Sequence, residues 1–460
     1  MRGRVLDVDI EELSAAGDGL ATSGRLRIAV PFTIPGERAR VRLETGRHVR
    51  VFAALVEVLR PSPHRVRPRC IHFGPDAPPG LGPCGGCGWQ HIAYPEQLRL
   101  KTALVDRLVR ASVPGAPPAR ATLAATPLEN PWGYRNRVHF VFGHSTPRSS
   151  RGAPPLTLGH YARGSRRVIP LRECPVHDER GNEFAFRVRE AFTRAGLTAE
   201  GEDRGVLRSL AVRVGCHTPE MMATLVVSRD HDRRLRAATR RLLEGDAPSA
   251  MHLNVHSRDD AFIFGRATRR LAGSERMRED VGGASFLMSP TTFFQTNVRA
   301  AEILVTLVLD SVPPASRVLD LYAGGGLFAI PLAIAGHDVI AVEENRLAVA
   351  DGEAALALNT AACGRCRFIA RRVETSLRTL ARADAVVLDP PREGCSPTVL
   401  REVFQRLRPP RAVYVSCNPE ALAGDLRAIC GSGYRLESLQ PVDMFPHTAH
   451  VETVAVIQRL

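Results

Sequence analysis

The sequence predicts an α/β protein in which a parallel, doubly wound sheet follows a small β-barrel and a mixed α+β part. From residue 286 onward, strand-like runs alternate with helix-like stretches, which is the pattern of a parallel sheet covered by helices. Before residue 60, short apolar runs are separated by Gly, Pro and Asp-Gly turns, which is typical of a small barrel. A chain of 460 residues is also too long for one ordinary core, so we expect two or three domains.

Residues 1–60 form the predicted barrel, which has the OB-like pattern of barrels that bind oligonucleotides. Its strand-like runs are short and carry seven arginines between positions 25 and 50. Such a surface can follow a phosphate backbone by electrostatic attraction. A solvated β-surface without a ligand is the alternative interpretation.

Residues 61–285 are predicted to form a central α+β domain. It opens with a Pro/Gly-rich stretch, residues 61–91, that lacks the periodicity of a hydrophobic core and suits a loop around a metal. A helix over 94–111 follows, in a position to pack on the C-terminal domain, and another helix is predicted near 182–195. The strand-like pieces are "YRNRVHFVFGH", "LTLGHYARG", "SLAVRVG", "MMATLVVSR" and "AFIFG".

Residues 286–460 are predicted to form the doubly wound domain. Helix-like stretches separate five strand-like runs, "RVLDLYAG", "DVIAVEEN", "CRFIARRV", "ADAVVLDPPR" and "AVYVSCNPE". The tail from residue 435 offers two more strands, which we expect to complete the sheet with an antiparallel edge.

The charge of the chain favours a polyanionic partner such as nucleic acid. The formal net charge is +14 at pH 7, and every basic side chain except Lys101 is an arginine. The N-terminus carries acids and no apolar segment, and no apolar run is suited to crossing a membrane. The expected location is therefore the cytoplasm, with no membrane association and no obligate protein partner evident.

The first strand of the doubly wound domain ends in a glycine-rich turn. The run "VLDLYAGGG" (318–326) places Asp320 before three glycines, which let a backbone approach a ligand closely. About twenty residues further on, Glu343 is placed to accept hydrogen bonds from a ribose diol. The turn is not GxGxxG, which disfavours a dinucleotide. Together with the later "DPPR", these residues predict an S-adenosylmethionine site.

The fourth strand-like run ends in Asp389-Pro390-Pro391-Arg392. Enzymes that methylate exocyclic amines use a similar acid-Pro-Pro motif followed by an aromatic ring, and Arg392 cannot stack as that ring does. The motif therefore indicates a methyl acceptor other than an amine. A rigid turn that only closes the sheet is the alternative.

The fifth strand-like run ends in Cys417, which places a thiol on the same sheet edge as Asp389. Methylation of a pyrimidine at C5 needs such a thiol, because C5 is a weak nucleophile until a thiolate adds to C6. A base must afterwards remove the C5 proton. The candidate base is Glu452, a lone acid among alternating apolar residues. A packing thiol and an exposed glutamate are the alternatives.

Five motifs together resemble the RNA uracil-C5 methyltransferase family over nearly the whole chain: "DLYAGGG", "DPPREG", "SCNPEAL", "DMFPHTAHVE" and "SPTTFFQTN". The resemblance implies a Rossmann-like class I methyltransferase domain, with Cys417 as nucleophile and Glu452 as base. It also implies that four residues contact S-adenosylmethionine, namely Gln295, Tyr322, Glu343 and Asp389. Many relatives have asparagines in the glycine loop where this chain has Gly325 and Leu327. The cytosine-C5 enzymes match less well, because they carry a cysteine in the fourth-strand motif.

The N-terminal part resembles the TRAM domain of the family's ribosomal RNA members, which its transfer RNA members generally lack. Those ribosomal members bind a [4Fe–4S] cluster, and its four ligands resemble Cys70, Cys84, Cys87 and Cys174 of this chain. Four thiolates suit such a cluster or a zinc ion. The stretch "GPDAPPGLG" lengthens the first spacing relative to the family. The resemblance therefore implies ribosomal RNA, specifically 23S, as the substrate.

Other interpretations remain open from the sequence. The substrate could be transfer RNA, or the protein could be a non-catalytic iron–sulfur RNA-binding factor with a relict methyltransferase domain. A cluster could shape the RNA-binding surface or sense redox conditions. Cys363 and Cys366 form a second CxxC that we expect to be incidental, and the rest are expected to be packing or surface thiols: Cys216, Cys395 and Cys430.

Overall fold

The protein is described by a computed structural model that covers residues 2–47, 50–77, 83–144, 156–201, 205–230, 232–245, 247–258, 262–362 and 364–460. Two features noted in the sequence lie partly outside these described residues. They are the second CxxC, which includes Cys363, and the stretch "GPDAPPGLG", which includes residues 78–82.

The N-terminal part is a six-stranded sheet with its own apolar core. Its strands are β1 (Val5–Asp9), β2 (Glu12–Leu13), β3 (Gly19–Ser23), β4 (Leu26–Val30), β5 (Arg38–Arg47) and β6 (Arg50–Arg60). The strand order is β1-β5-β6-β4-β3-β2, and β1 also contacts β3, so the sheet curls on itself. Apolar residues such as Ile28, Val30 and Val41 point to one face and are completely buried there.

A long helix follows the Pro/Gly-rich stretch 61–91, termed the cysteine-rich loop, and packs on the C-terminal sheet. Helix α1 (Tyr94–Ser112) has Pro95 in its first turn, where a missing N–H costs no hydrogen bond. The helix buries Val105 and Val109 in the same apolar core as the C-terminal sheet. It is followed by the short strand β7 (Leu123–Ala124), which is hydrogen-bonded to that sheet as its last strand.

The central sheet has seven strands and two helices on one face. The elements are β8 (Arg137–His144), β9 (Leu156–Tyr161), β10 (Val168–Pro170), α2 (Glu179–Arg194), β11 (Leu207–Val214), β12 (Met221–Val227), α3 (Arg233–Leu243), β13 (Ala250–Val255) and β14 (Ala267–Gly273). The strand order is β10-β9-β8-β11-β12-β13-β14. The prediction of a strand at "AFIFG" is wrong, because residues 262–265 lie in the turn between β13 and β14.

A hairpin and a helix precede the C-terminal sheet and pack against it. They are β15 (Met277–Val281), β16 (Ala284–Met288) and α4 (Val298–Ser311). Phe286 of the hairpin and Leu304 of the helix are buried in the core beneath the sheet. Asn297 caps α4 by accepting a hydrogen bond from the backbone N–H of Ala300.

The C-terminal part is an eight-stranded sheet in which helices alternate with strands. The elements are β17 (Arg317–Leu321), α5 (Ala329–Ile334), β18 (Asp338–Glu343), α6 (Arg346–Leu358), β19 (Cys366–Ala370), α7 (Val373–Ser376), β20 (Ala385–Leu388), α8 (Pro397–Arg401), β21 (Arg411–Ser416), α9 (Pro419–Cys430), β22 (Tyr434–Asp443) and β23 (Glu452–Arg459). The strand order is β19-β18-β17-β20-β21-β23-β22-β7.

The pairing of these strands confirms the predicted fold class. The five strands from β17 to β21 are parallel, and β23 runs antiparallel between β21 and β22. The strand order reverses at β17, which has β18 on one side and β20 on the other. In such sheets the crevice outside the carboxyl ends of the strands at the reversal point is the usual ligand site.

Within the described ranges, no helix combines the length and the apolar composition needed to span a membrane.

Candidate active site

The carboxyl ends of β17 and β18 bring the glycine-rich turn beside Glu343. Glu343 accepts hydrogen bonds through both carboxylate oxygens, from the backbone N–H of Gly324 at 3.0 Å and of Asn345 at 2.7 Å. Gly324 and Gly326 adopt φ of +55° and +90°, a conformation that glycine tolerates and most residues do not. The turn is thus folded around the carboxylate predicted to bind a ribose.

Tyr322 and Asp320 flank the start of this turn. Tyr322 has a φ of +66°, which is unusual for a residue with a large side chain, and burial raises the pKa of its hydroxyl. Asp320 is fully buried, and the pKa of its carboxyl is raised mainly by burial and further by the nearby Asp389 and Glu343. Burial and the two neighbouring carboxylates therefore favour the protonated form of the Asp320 carboxyl.

Gln295 lies on a segment that joins the cofactor edge to the loop before β23. Asp351 of α6 holds the beginning of this segment, accepting hydrogen bonds from Ser289 and from the Thr292 hydroxyl at 2.9 Å. At the other end, the Asn297 side chain donates to the carbonyl oxygen of Met444 at 3.1 Å. Gln295 itself is buried between these two anchors in the chain.

The antiparallel register of β21 and β23 places Cys417 opposite Glu452. The last ladder pair of the two strands is Ser416 with Thr453, so the next positions along the two chains are Cys417 and Glu452. Directly opposite residues have Cβ atoms about 4.5–5.5 Å apart while a ladder continues. Asp389 immediately follows β20, the neighbour of β21 on its other side. The three predicted residues are therefore brought together at one sheet edge.

The pKa values of these three residues are all raised, and Asp389 contributes to the rise of the other two. Burial, followed by the neighbouring Glu452 and Asp389 carboxylates, raises the pKa of the Cys417 thiol to about 11. Burial and Asp389 raise the pKa of Glu452 to about 8, and burial raises that of Asp389 to about 7. A thiol and an acid that are both protonated at neutral pH need a nearby cation or a substrate to ionise.

Arg392 supplies that cation, and sequence reasoning missed this role. Its positive charge lowers the pKa of Cys417 and of Glu452, opposing the effect of burial on both. Its carbonyl oxygen accepts a hydrogen bond from the Asn418 side chain at 2.8 Å, and Asn418 also caps α9 by accepting from Glu420 N–H at 3.1 Å. Cys417 thus lies at a helix N-terminus, where the helix dipole favours a thiolate.

The four predicted metal-binding cysteines line one cavity of about 730 Å³: Cys70, Cys84, Cys87 and Cys174. Burial, followed by the neighbouring thiols Cys84 and Cys70, raises the pKa of Cys87 to about 12. Cys174 is raised to about 12 by burial and then by Cys87 and Cys84. The donor set is therefore four mutually close thiols. In the part of the chain that the structure describes, however, no three His, Cys, Asp or Glu side chains converge as one metal ion requires.

The remaining described cysteines are separate from this cavity. Cys216 is exposed, Cys366 and Cys430 are half-buried, and Cys395 is buried. Burial raises the pKa of the Cys395 thiol to about 12.

Two family models and several relatives of known sequence match this chain. A family model described as tRNA (Uracil-5-)-methyltransferase matches residues 218–460, and one described as the TRAM domain of tRNA (uracil(54)-C(5))-methyltransferase matches residues 6–64. A protein of Gloeobacter violaceus described as an uncharacterized RNA methyltransferase is 36% identical over 100% of this chain and 97% of its own length. Another, of Thermosynechococcus vestitus, is 35% identical over 99% and 98%.

A solved structure of a uracil-C5 methyltransferase also matches the fold of this chain. The tRNA (uracil-54, C5)-methyltransferase of Pyrococcus abyssi, in complex with S-adenosyl-L-homocysteine, matches with a TM-score of 0.76 and 25% identity. The match covers 98% of this chain and 100% of that chain. The chain belongs to the S-adenosylmethionine-dependent RNA uracil-C5 methyltransferase family and carries its TRAM domain.

Proposed function

We propose that the protein methylates C5 of a uridine in RNA through a covalent adduct between Cys417 and C6 of the base. The observation that carries this proposal is the register that sets Cys417 opposite Glu452 at the carboxyl edge of the sheet. S-adenosylmethionine, when bound, supplies the sulfonium methyl group. The roles of nucleophile and base then belong to two side chains that face each other across adjacent strands.

In the proposed steps Cys417 is the nucleophile and Glu452 is the base. The Cys417 thiolate adds to C6, which makes C5 an enolate-like carbon able to take the methyl group. Glu452 then accepts the C5 proton, and the electron pair of that C–H bond restores the C5–C6 double bond as the C6–S bond breaks and the thiolate leaves. A pKa of about 8 suits Glu452 to this work, because an acceptor near the operating pH can take and release a proton readily.

The cofactor is proposed to lie over the carboxyl ends of β17, β18 and β20. The residues that would hold it are Gln295, Tyr322, Glu343 and Asp389. Both oxygens of Glu343 accept backbone hydrogen bonds, which keeps the carboxylate aimed at the crevice while each oxygen retains acceptor capacity for a ribose hydroxyl. Gly325 and Leu327 cannot make the contacts that asparagines make in many relatives.

The proposed substrate is a uridine of ribosomal RNA, specifically 23S. The support is the resemblance of the four-cysteine set to that of ribosomal members. The presence of a TRAM domain no longer separates the two substrates, because the matching TRAM model carries the name of a transfer RNA enzyme. Transfer RNA is therefore the second candidate, favoured by the full-length similarity to the Pyrococcus abyssi enzyme. In either RNA the target base must leave its stack to reach Cys417, at a cost of a few kcal/mol.

The four cysteines are proposed to hold a [4Fe–4S] cluster. A zinc ion would require four sulfur atoms about 2.3 Å from one point, whereas a cubane cluster gives each cysteine its own iron atom. The four thiols that line one cavity could supply those four ligands. The cluster is proposed to shape the RNA-binding surface, since no step above moves an electron.

The test is methyl transfer to defined RNA. Purified protein would be incubated with radiolabelled S-adenosylmethionine and either 23S ribosomal RNA or total transfer RNA from cells that lack the gene. We expect 5-methyluridine in the ribosomal RNA, at a single mapped position. Label in transfer RNA alone would make the second candidate correct, and label in neither RNA would contradict the proposed function.

A further inference from the structure

A buried polar network surrounds the loop that leads into Glu452. The loop covers residues 444–451 and joins β22 to β23; we term it the base loop. Glu452 pairs with Val442 in the β22–β23 ladder, so the position of its carboxyl depends on how this loop returns the chain. The base loop contains His447, whose φ of +65° is strained for a residue with a side chain.

A buried ion pair holds the start of the base loop. Lys101 of α1 donates a hydrogen bond to Asp443 Oδ1 at 2.5 Å and another to the carbonyl oxygen of Phe445 at 3.0 Å. The backbone N–H of Phe445 donates to the same Asp443 oxygen at 3.1 Å. Lys101 and Asp443 are both completely buried, at 0% exposure. Such a pair costs desolvation energy, so it is poor evidence for stability alone and points to a positional role.

The choice of lysine as the buried cation also supports a positional role for the pair. Lys101 is the single lysine of the sequence, and all other basic residues are arginine. An ammonium group is compact and can donate in three directions, whereas the planar guanidinium of arginine is larger and has a fixed donor geometry. The ammonium at this position donates at once to a carboxylate and to a backbone carbonyl on the same turn.

A second residue of α1 holds the middle of the base loop. Gln97 accepts a hydrogen bond from the backbone N–H of His447 at 2.7 Å and contacts the His447 ring at Nδ1. The carbonyl oxygen of His447 accepts from the backbone N–H groups of Gly88 and Trp89, at 3.0 and 2.9 Å. Trp132 stacks on the His447 ring at 3.8 Å. These contacts hold His447 in its strained backbone conformation from several sides. Such strain persists in proteins where the surrounding structure fixes the residue in this way.

We propose that Lys101 and Gln97 are positioning residues, which place Glu452 for proton removal by holding the base loop. The inference rests on the proposed function and deepens it, because it assigns to α1 a part in the last chemical step. Both residues act through the chain of residues 443–447, which they hold by hydrogen bonds to Asp443, Phe445 and His447. The first step, addition of Cys417, depends on β21 and α9 and is not held by these contacts.

The test separates the two steps in one folded variant. The double variant Lys101→Met with Asp443→Asn removes both charges, so no unpaired buried charge remains, and thermal unfolding would verify that it folds. RNA with 5-fluorouridine at the target forms the methylated adduct without needing a base, because fluorine cannot leave as a proton does. Ordinary uridine RNA of the same sequence reports the complete reaction.

We expect the double variant to form the fluorinated adduct at a rate within about threefold of wild type, while kcat on uridine RNA falls at least about 30-fold and KM stays within about threefold. The methylated covalent intermediate should accumulate on a denaturing gel. A kcat within threefold of wild type, or an equal fall in adduct formation and turnover, would overturn the inference. If wild-type protein forms no adduct and transfers no methyl group, the proposed function itself fails.

Thr102→Val is the matched control on the same helix. The Thr102 hydroxyl bonds to the hydroxyl of Thr122 at 2.8 Å and accepts from its backbone N–H at 2.9 Å. The substitution therefore removes comparable hydrogen bonds of α1 that do not reach the base loop. We expect turnover within about twofold of wild type.

Discussion

At the scale of single residues, the site is governed by ionisation. The pKa of Cys417 is about 11 and that of Glu452 about 8, so both groups are mainly protonated at pH 7. Arg392 lowers both values, and it is the cation that the structure places beside a thiol with no lysine near it in sequence. The ease with which the thiolate forms therefore depends on one exposed guanidinium.

Removing this cation should slow adduct formation. In Arg392→Met the pKa of Cys417 rises further, so less thiolate is present at pH 7.5 and adduct formation with 5-fluorouridine RNA should fall about 10- to 100-fold. Because the wild-type pKa of about 11 lies above this range, the thiolate fractions of both proteins rise in parallel, and the deficit should stay constant from pH 7 to pH 9.5. Arg392→Lys keeps the charge and should recover most of the rate. A deficit that disappears at saturating RNA concentration would mean that Arg392 acts through RNA contact instead.

Burial of Glu452 should make stability depend on pH. The folded pKa of about 8 exceeds the ordinary value of 4.5, so the folded protein keeps a proton that the unfolded chain has lost between these values. Stability contributed by this group is therefore present at low pH and falls as pH rises through that window. Glu452→Gln cannot ionise, and should be more stable than wild type at pH 9 by roughly 2–4 kcal/mol but similar at pH 4.5.

Chemical unfolding at several pH values measures this difference. Glu353→Gln, which changes an exposed carboxylate on α6, is the control and should give no pH-dependent gain. A stability difference for Glu452→Gln that does not grow between pH 5 and pH 9 would show that the carboxyl is ionised in the folded protein.

At the scale of elements, the cofactor turn depends on glycine at one position in particular. Gly326 has a φ of +90°, and a Cβ there would lie 2.8 Å from Phe368 Cζ and 3.1 Å from Ile330 Cγ1. Gly336 has a similar φ of +98° at the end of α5, but a Cβ there would meet no atom within 4 Å. A side chain would therefore be strained at both glycines, but only at Gly326 would its Cβ also collide with neighbouring side chains.

Gly326→Ala should therefore damage cofactor binding, and Gly336→Ala should not. Both substitutions cost about 1–2 kcal/mol from left-handed backbone strain, but only the first displaces the turn over the crevice. Calorimetric titration with S-adenosyl-L-homocysteine should show at least a roughly tenfold loss of affinity for Gly326→Ala and less than about twofold for Gly336→Ala. Equal affinities would contradict the placement of the cofactor at this turn.

The elements themselves were largely predictable from the sequence because their patterns are local. Apolar runs bounded by glycine and proline mark β17 to β21, and Cys417 and Asp389 follow their strands directly. Strand β13 was missed because His252 and Asn254 interrupt its apolar run. Asn254 is buried and donates to the carbonyl oxygen of Gly265 and to the Thr268 hydroxyl, so tertiary contacts compensate for its polarity.

The contacts that complete the site could not be predicted, because they depend on chain segments far apart in sequence. Cys417 and Glu452 face each other because of the antiparallel register of β21 and β23, which only the folded sheet specifies. The pair between Lys101 and Asp443 spans more than 300 positions, and the motif "DMFPHTAHVE" that Asp443 begins does not indicate a lysine partner on α1. Arg392 was visible in its motif, but its effect on two pKa values required the geometry.

At the scale of the whole molecule, all three parts meet near the base loop. Trp89, near the end of the cysteine-rich loop, donates its indole N–H to the carbonyl oxygen of Gly17 in the N-terminal part at 2.9 Å. A Cβ on Gly17 would collide with Ala449 of the base loop, so these backbones are in close contact. Because Cys87 lies two residues before Trp89, disturbance of the cysteine cavity should also reach the base loop.

The metal content tests the proposed role of the cysteine cavity. Anaerobically purified protein should contain about four irons per chain, and Cys174→Ser should lose most of them, because the fourth thiolate ligand is removed. Cys216→Ser, which changes an exposed cysteine outside the cavity, should keep its iron. Iron and zinc are measured together by elemental analysis. Stoichiometric zinc in the wild-type protein would replace the cluster with a single-ion site.

The central claim is that Cys417 attacks C6 of a uridine, and trapping of that bond tests it most directly. Wild-type protein incubated with S-adenosylmethionine and target RNA containing 5-fluorouridine should give a covalent complex that survives denaturation. Its intact mass should equal protein plus RNA plus one methyl group minus the thiol proton that is lost, and peptide mapping should place the linkage on Cys417, with no complex from Cys417→Ala. A linkage on another cysteine, or efficient methylation of uridine RNA by Cys417→Ala, would contradict the account.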